Sequence, residues 1–515
     1  MDTTALDLVA LSAASLDVTA GGAVTDSGTL AIAGATTISA SGQNITLDET
    51  ASTFGTLTLT GADVAVTEAA ATDLGVSTVS GTLGITSSGA VTDSGTLTIA
   101  GATTISATGQ DITLDEAAST FGTLNLTGAN VAVMEAAATD LGASIVSGTL
   151  DITSTGAITD SGTLAITGAT TISASGQNIT LDDAASTFGA LSFMGADVVV
   201  TEASATELGA STVTGTLGIT SNGAITDSGT LAVTGATTIT ASGQSVTLTN
   251  ADSTFGDVVV SAKDVYIVEQ GAFTSSSISA ETVQISATEG VSVISSGDGL
   301  QLAAQSGTGN IDVVNTGGLV ISELDTIQGI QFTNDDAAGK VSLVAKSPLT
   351  INAPIDAKAG EVLLVASGSD AADDVTINSN IIGNSLDVYA GDSVAVIGEA
   401  KITSSSFELN IGTNYDPDTS SISKGSSSAG LVISNVAGLE QINFPSLGVI
   451  SGKGRIKEFQ SSGLLLMDDY FNALNPVSEE LVNLETIGVT GSVESELYNF
   501  TEIDNSGSIE IEKKK

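Results

Sequence analysis

The feature that most constrains this chain is an internal repeat of constant length. The phrase GAVTDSGTL occupies Gly22–Leu30 and returns at Gly89–Leu97, and GAITDSGTL follows at Gly156–Leu164 and Gly223–Leu231. Each copy starts 67 residues after the previous one, with no insertion or deletion between them. Because so strict a length leaves no room for loops of variable size, we expect each unit to stack directly on the next.

Within a repeat, apolar residues alternate with small or polar ones. Pairs of apolar residues two positions apart recur through the first repeat: Leu30 and Ile32, Ile45 and Leu47, Leu57 and Leu59, Val64 and Val66, Leu83 and Ile85. This spacing is typical of short strands with one buried face. The intervening phrases, rich in Gly, Ser, Asn and Asp, predict turns.

The repeat divides at glycines into segments of the size of one solenoid turn. Thr29–Gly55 has 27 residues, and Thr56–Gly75 and Val76–Gly95 have 20 each. A β-sandwich needs about 100 residues and a propeller blade about 40 to 50. We therefore predict an all-β fold, a parallel β-helix (β-solenoid) with about three turns per repeat. Aromatic residues are only 3% of the chain, so Val, Ile, Leu, Ala and Thr must fill the interior.

The pattern changes twice along the chain. Residues 1–256 hold the regular repeats, and residues 257–451 keep the alternation without exact repetition, which predicts diverged solenoid turns. Residues 452–515 are predicted to form a C-terminal cap or tail, with short helices around Pro476, over an otherwise unpaired strand edge. Because Leu16 is in phase with Leu83, the first residues are already in solenoid register, and we infer that Met1 is not the natural start.

The charge of the chain narrows the choice of partners. The 12 Lys and Arg stand against 59 Asp and Glu, a net charge of −47, and the first basic residue is Lys263. Such a surface repels nucleic acid and anionic membranes, so neither is an expected partner. No apolar stretch approaches the roughly 20 residues of a membrane helix, so membrane insertion is not expected.

The residues needed for several kinds of site are missing. Cys and His number 0, which excludes Ser–His and Cys–His catalysis and the usual zinc sites. Adjacent carboxylates occur at Asp48–Glu49, Asp115–Glu116 and Asp182–Asp183, but a catalytic pair would be needed once rather than in every repeat. They predict acidic surface turns, and no catalytic or cofactor-binding residue is assigned.

Other carboxylates recur with the repeat and raise the question of metal binding. They are expected to form columns whose members lie about three turns, or roughly 14 Å, apart. These residues are Asp26, Asp93, Asp160 and Asp227, and Glu68, Glu135, Glu202 and Glu269. That separation is too long for one ion to bridge equivalents, and no cofactor is predicted. Calcium held between different columns stays open as a minority interpretation.

The phrases TLAIAGATTISASGQNITLDETASTFGTLTLTGADVAV and GTLGITSSGAVTDSG resemble the repeats of filamentous haemagglutinins and related large exoproteins, over roughly residues 16–440. The resemblance implies a right-handed parallel β-helix, export by two-partner secretion, and a role in adhesion or in a surface fibre. The N-terminal secretion domain of that family has no match in this chain.

Two functions from different classes remain. The first is a non-enzymatic stalk of a secreted or cell-surface bacterial exoprotein, a rigid spacer or fibre subunit in adhesion or matrix formation. Its expected partners are surface glycans or proteins of a host or neighbouring cell, or copies of itself in a filament. The alternative is a carbohydrate-active β-helix enzyme, a polysaccharide lyase or hydrolase. A lyase would concentrate acidic and basic residues in one cleft, whereas the first half of this chain has no basic residue.

Overall fold

The computed structural model describes residues 5–404, apart from residues 336, 347, 368–372 and 398–399, and beyond 404 only the backbone of seven strands. These residues form strands, isolated bridges and turns, without a helix among them. The chain separates into two compact units, Met1–Gln270 and Gly271–Lys515. The division predicted after residue 256 stays a prediction. The helices predicted around Pro476 lie outside the described residues.

The alternation of the sequence produces the strands. In Thr56–Gly61 the side chains alternate between partly exposed and buried positions, and Leu57 and Leu59 are fully buried. The other apolar pairs of the first repeat are buried in the same way. Each buried aliphatic side chain contributes roughly 1.5–3 kcal/mol relative to exposure. The predicted all-β parallel solenoid is confirmed, with an aliphatic interior.

The first unit has two broad sheets, which we name face A and face B, and a short third side. Face A consists of Leu6–Leu8, Val24–Asp26, Ile45–Leu47, Val64–Glu68, Leu83–Ser87, Thr103–Ser106, Thr123–Gly128, Thr139–Leu141, Ile158–Asp160, Ile179–Leu181, Val198–Glu202 and Leu217–Ser221. Face B consists of Leu16–Thr19, Thr36–Ser39, Thr56–Gly61, Thr72–Leu74, Val91–Asp93, Ile112–Leu114, Val131–Glu135, Leu150–Ser154, Thr170–Ser173, Ala190–Gly195, Thr206–Leu208 and Ile225–Asp227.

Two long strands, Thr237–Leu248 and Val258–Glu269, then run through both faces. The strands of the third side are Leu11–Ala13, Leu30–Ile32, Ser77–Val79, Leu97–Ile99, Ser144–Val146, Leu164–Ile166, Ser211–Val213 and Leu231–Val233. Successive strands of a face pair in parallel, and adjacent strands in such a ladder lie about 4.8 Å apart.

Equivalent residues of neighbouring repeats lie on opposite faces. Val24 is on face A, Val91 on face B, Ile158 on face A again and Ile225 on face B. The strands that follow that of Val24 on face A begin at Ile45, Val64, Leu83, Thr103, Thr123, Thr139 and Ile158. Two repeats therefore take seven turns, and one repeat takes three and a half turns, a rise of about 17 Å.

This half turn refines the predicted count of about three turns per repeat, and it corrects one detail. The carboxylates of successive repeats do not form single columns three turns apart. They alternate between faces A and B, and members on the same face are seven turns apart, about 34 Å. The spacing of the columns was predicted wrongly because the repeat was divided at its glycines, and these glycines do not mark whole turns of about 19 residues.

The third side changes edge with each repeat. Leu11–Ala13 and Leu30–Ile32 follow face A along the chain, and a bridge from Ala31 to Thr53 adds a third member. The next third-side strands, Ser77–Val79 and Leu97–Ile99, follow face B instead. Each third side is thus three turns high and then ends, and the next one begins on the opposite edge of the solenoid.

Close approach of consecutive turns explains one repeated glycine. A Cβ atom at Gly55 would lie 2.4 Å from the carbonyl oxygen of Gly34 in the turn before, and Gly122, Gly189 and Gly256 are in the same position. No side chain fits there without moving the backbone. The glycine that ends each STFG phrase is therefore required by packing of the third side.

The second unit is a less regular solenoid. One of its ladders consists of Phe273–Ser279, Val291–Ser295, Ile311–Asn315, Lys340–Ala345, Glu361–Ala366, Ser385–Ala390 and Ser406–Ile411. The others consist of Thr282–Ala287, Leu300–Ser306, Leu319–Ile321, Ile330–Phe332, Leu349–Ile351, Ile355–Asp356, Val375–Ile377, Ile381–Ile382, Val394–Ile397, Ile402–Thr403, Gly430–Val436 and Arg455–Ser461. Antiparallel pairs are Glu323–Leu324 with Ile327–Gln328, Thr413–Asp416 with Ser421–Lys424, and Tyr498–Ile503 with Ile509–Lys513.

Part of the outer surface of the second unit is also apolar. Val344, Leu363 and Val365 alternate with the inward residues of their strands, yet they are buried and pack with Tyr389. The strand Thr413–Asp416, which pairs antiparallel with Ser421–Lys424, contacts the strands Glu361–Ala366 and Ser385–Ala390. Diverged turns therefore also bury apolar side chains that alternate with the inward ones, which the sequence pattern did not predict.

Distances between spin labels test the half turn per repeat. The chain has 0 cysteines, so paired cysteines can be introduced at the exposed Thr25, Thr92 and Thr159. We expect the Thr25/Thr159 pair, on one face and seven turns apart, to give about 34 Å between backbone sites. The Thr92/Thr159 pair should be longer than its axial separation of about 17 Å, because the two backbone sites also lie on sheets roughly 10 Å apart and their labels project outward on opposite sides. A Thr92/Thr159 label distance of about 17 Å would show that both residues lie on one face.

Candidate functional site

The most unusual chemical group of the repeats is a buried glutamate. Glu68, Glu135, Glu202 and Glu269 are at most 2% exposed. Glu68 follows the inward residues Val64 and Val66 at intervals of two, so the strand itself points the carboxylate inward. The recurring glutamates therefore lie in the interior, in agreement with the period-two pattern of their strands.

Each carboxylate accepts a hydrogen bond from the backbone where a third side ends. The N–H of Phe54 donates to Oε1 of Glu68 at 2.7 Å, and the corresponding distances in the later repeats are 2.7, 2.9 and 2.9 Å. No third-side strand follows above Phe54, so this N–H would otherwise be buried without a strand partner. The glutamate of the following turn therefore caps the finished third side.

The STFG phrase supplies the other half of this cap. The hydroxyl of Ser52 is fully buried and accepts the N–H of Leu30 at 3.0 Å, while its carbonyl accepts the N–H of Ala69 at 2.8 Å. The other repeats preserve these contacts through Ser119, Ser186 and Ser253. Repetition of STFG thus reflects a hydrogen-bonded closure of each third side.

The second carboxylate oxygen differs between repeats. Thr139 and Thr206 donate to Oε2 of Glu135 and Glu202, both at 2.8 Å. In the first repeat Thr72 donates to Ser87 instead, and Oε2 of Glu68 has no partner. In the fourth repeat the residue four positions after the glutamate is Phe273, not threonine, and Oε2 of Glu269 is also unpartnered.

Burial controls the ionisation of these groups. It raises the pKa of all four glutamates, while the N–H of the neighbouring phenylalanine opposes the shift. The shift is largest for Glu269, whose pKa rises to about 7. A carboxylate that is desolvated and has few donors favours its protonated form.

The second recurring carboxylate organises the acidic turns. Oδ1 of Asp26 accepts the N–H of Asp48 at 2.8 Å, and Asp93 holds Asp115 in the same way. Burial raises the pKa of Asp26 and Asp93. Asp48 is exposed and Glu49 half-buried. The acidic pairs therefore lie on repeated surface turns, as predicted.

The structure offers no geometry for a metal centre in its described residues. There, no group of three or more Asp or Glu side chains is arranged to hold a metal ion. Calcium binding stays an untested prediction. Within the same part of the chain, no helix has the length and apolar character needed to span a membrane.

A recurring buried threonine has no hydrogen-bond partner for its hydroxyl, whereas the hydroxyl of Ser52 has one. Thr36 and its equivalents Thr103, Thr170 and Thr237 are fully buried, and none of their hydroxyls has a hydrogen-bond partner. They point inward at positions where neighbouring turns carry leucine, such as Leu57 beside Thr36. An unpaired buried hydroxyl costs about 1–3 kcal/mol.

Opposite effects on stability are expected from removing these two kinds of hydroxyl. Ser52→Ala leaves the buried N–H of Leu30 without its acceptor and should lower the free energy of unfolding by about 1–3 kcal/mol. Thr36→Val removes an unpaired hydroxyl and should raise it by about 1 kcal/mol. Denaturant unfolding measures both, with the exposed Thr25→Val as control. A stability loss in Thr36→Val would show that its hydroxyl has a partner in solution.

Comparison with known proteins identifies the repeats but assigns no activity. A family model described as repeats of unknown function (DUF5649) matches residues 1–60, 61–127, 128–193 and 195–262. These segments cover about half of the 515 residues. No curated protein and no solved structure gave a significant match.

Proposed function

We propose that this chain, which belongs to the family of repeats of unknown function (DUF5649), is a rigid structural spacer in a secreted or cell-surface bacterial protein. The observation that carries this proposal is the parallel ladder through four repeats of equal length. Each turn is hydrogen-bonded to the turns before and after it, so bending the array would strain many hydrogen bonds together.

The chemistry of the surface supports a spacer over a catalyst. The acidic pairs recur on equivalent turns, whereas catalysis needs one special environment. The first 262 residues contain no Lys or Arg to bind an anionic substrate. We therefore propose a role without catalysis and without nucleic-acid binding.

The location and partners are further parts of the proposal. Resemblance to filamentous-haemagglutinin-like exoproteins favours export by two-partner secretion, and the absence of cysteine is compatible with export of an unlinked chain. The proposed partners are glycans or proteins on the surface of a host or neighbouring cell, or copies of the chain itself in a filament.

Deletion of whole repeats tests the spacer directly. Removing residues 96–162 joins Gly95 to Thr163, which opens an equivalent segment. We expect a folded protein with a melting temperature close to that of the parent and about 17 Å shorter, because every inward column is restored. Thermal melts and small-angle scattering measure the two properties.

The control deletion removes residues 123–132, which interrupts two strands rather than a whole repeat. Loss of several buried aliphatic side chains at about 2 kcal/mol each should unfold the array around the deletion. Equal melting of both deletions would contradict the repeat as the structural unit.

Location is tested by immunogold electron microscopy of intact cells with an antibody against the repeats. The proposal expects label outside the cell envelope. Label confined to the cell interior would overturn the surface role while leaving the solenoid fold unaffected.

A further inference from the structure

The buried glutamates have no opposite charge to balance them. Residues 1–262 lack Lys and Arg, so no side-chain ion pair with a basic residue is available there to the first three. Only burial and hydrogen-bond donors shift their pKa. An ionised carboxylate without a cation is costly in such an interior, whereas a protonated one is tolerated.

The other charged residues on the elements that carry Glu269 and Phe255 are exposed or partly exposed. The segment that carries Phe255 contains Asp252 and Asp257, and both are exposed. On the strand of Glu269 itself, the exposed Lys263 lies 3.7 Å from Asp264. None of these groups contributes to the pKa of Glu269, which is set by burial and by the N–H of Phe255.

The same arrangement holds around Glu68. The titratable residue before Ser52 is Glu49, and Asp73 lies on the strand after the glutamate. Asp73 faces outward and accepts the hydroxyls of Thr56 and Ser94. Neither Glu49 nor Asp73 contributes to the pKa of Glu68. The pKa of Glu68 is therefore set by burial and hydrogen bonds and not by a neighbouring charge.

We propose that the four glutamate caps form an acid-sensitive lock, which stabilises the ends of the third sides as the pH falls because protonation removes a buried charge that no cation balances. Glu269 is the cap that responds nearest neutral pH, because the residue four positions after it is Phe273. A threonine follows each of the earlier glutamates at that spacing and lowers its pKa. As the pH rises, Glu269 is therefore the last cap to lose its proton, and its contribution to stability falls furthest.

The direction of the effect follows from proton linkage. A carboxyl group whose pKa is higher in the folded state than in the unfolded state binds more protons when folded. Its contribution to stability is fully present below the ordinary pKa of 4.5 and is lost as the pH rises through about 7 for Glu269. Over that window the unfolding equilibrium constant should rise on the order of 100-fold from Glu269 alone.

Hydrogen exchange of the full-length chain provides a local test. The protection factor of the peptide containing Phe255, corrected for the intrinsic pH dependence of exchange, should fall as the pH is raised from 5 to 8. Glu269→Gln should make that protection nearly independent of pH, since the amide oxygen still accepts the N–H of Phe255 but does not titrate. The peptide containing Phe188 should change less, because Glu202 retains its threonine donor.

The matched control is Glu207→Gln, which removes the same charge from an exposed position. It should leave the pH dependence at Phe255 unchanged, and thereby separates the lock from general relief of charge repulsion. If Glu207→Gln flattens the dependence as strongly as Glu269→Gln, repulsion across the surface is the cause and the lock is refuted.

An infrared measurement covers the case in which Glu269→Gln does not fold. The parent protein at pH 6 should show the carbonyl band of a protonated carboxyl group, and this band should disappear between pH 6 and 8. A spectrum without protonated carboxyl groups at pH 6 would overturn the proposal, because all four caps would then already be ionised.

Discussion

The array depends on one constraint, that each turn must form parallel hydrogen bonds with the turns on both sides of it. An isolated turn leaves its N–H and C=O groups unpaired and its aliphatic side chains exposed, so no turn is stable alone. The 67-residue repeat meets this constraint without containing a whole number of turns. A strand that lies on face A in one repeat has its equivalent on face B in the next. A repeat of three and a half turns therefore still pairs every turn with its neighbours.

The half turn explains why the third side and its glutamate cap exist together. Because the repeat alternates between faces, the third side also alternates between edges and must end after three turns. Its last backbone N–H groups need acceptors that no following strand provides, and the buried carboxylates provide them. A polar group is thus placed in an aliphatic interior because the geometry of the repeat leaves a donor there.

Much of this organisation could be predicted from the sequence. The alternation identified inward residues such as Leu57 and Val64, and the constant repeat identified a solenoid. The number of turns per repeat was harder to predict from the sequence. It depends on which residues pair between turns, and a single sequence does not show these pairings. The burial of Glu68 was accessible in principle, since it continues the inward series from Val64 and Val66.

The half turn also has a consequence for how such arrays evolve. Tandem repeats are gained and lost by recombination between near-identical segments, and each event adds or removes a whole number of units. An odd number of units moves a side chain in a later repeat, such as Met194, from one side of the array to the other. An even number returns it to the same side. Selection on a one-sided surface would therefore favour length changes in pairs of repeats, whereas selection on length alone would accept any number.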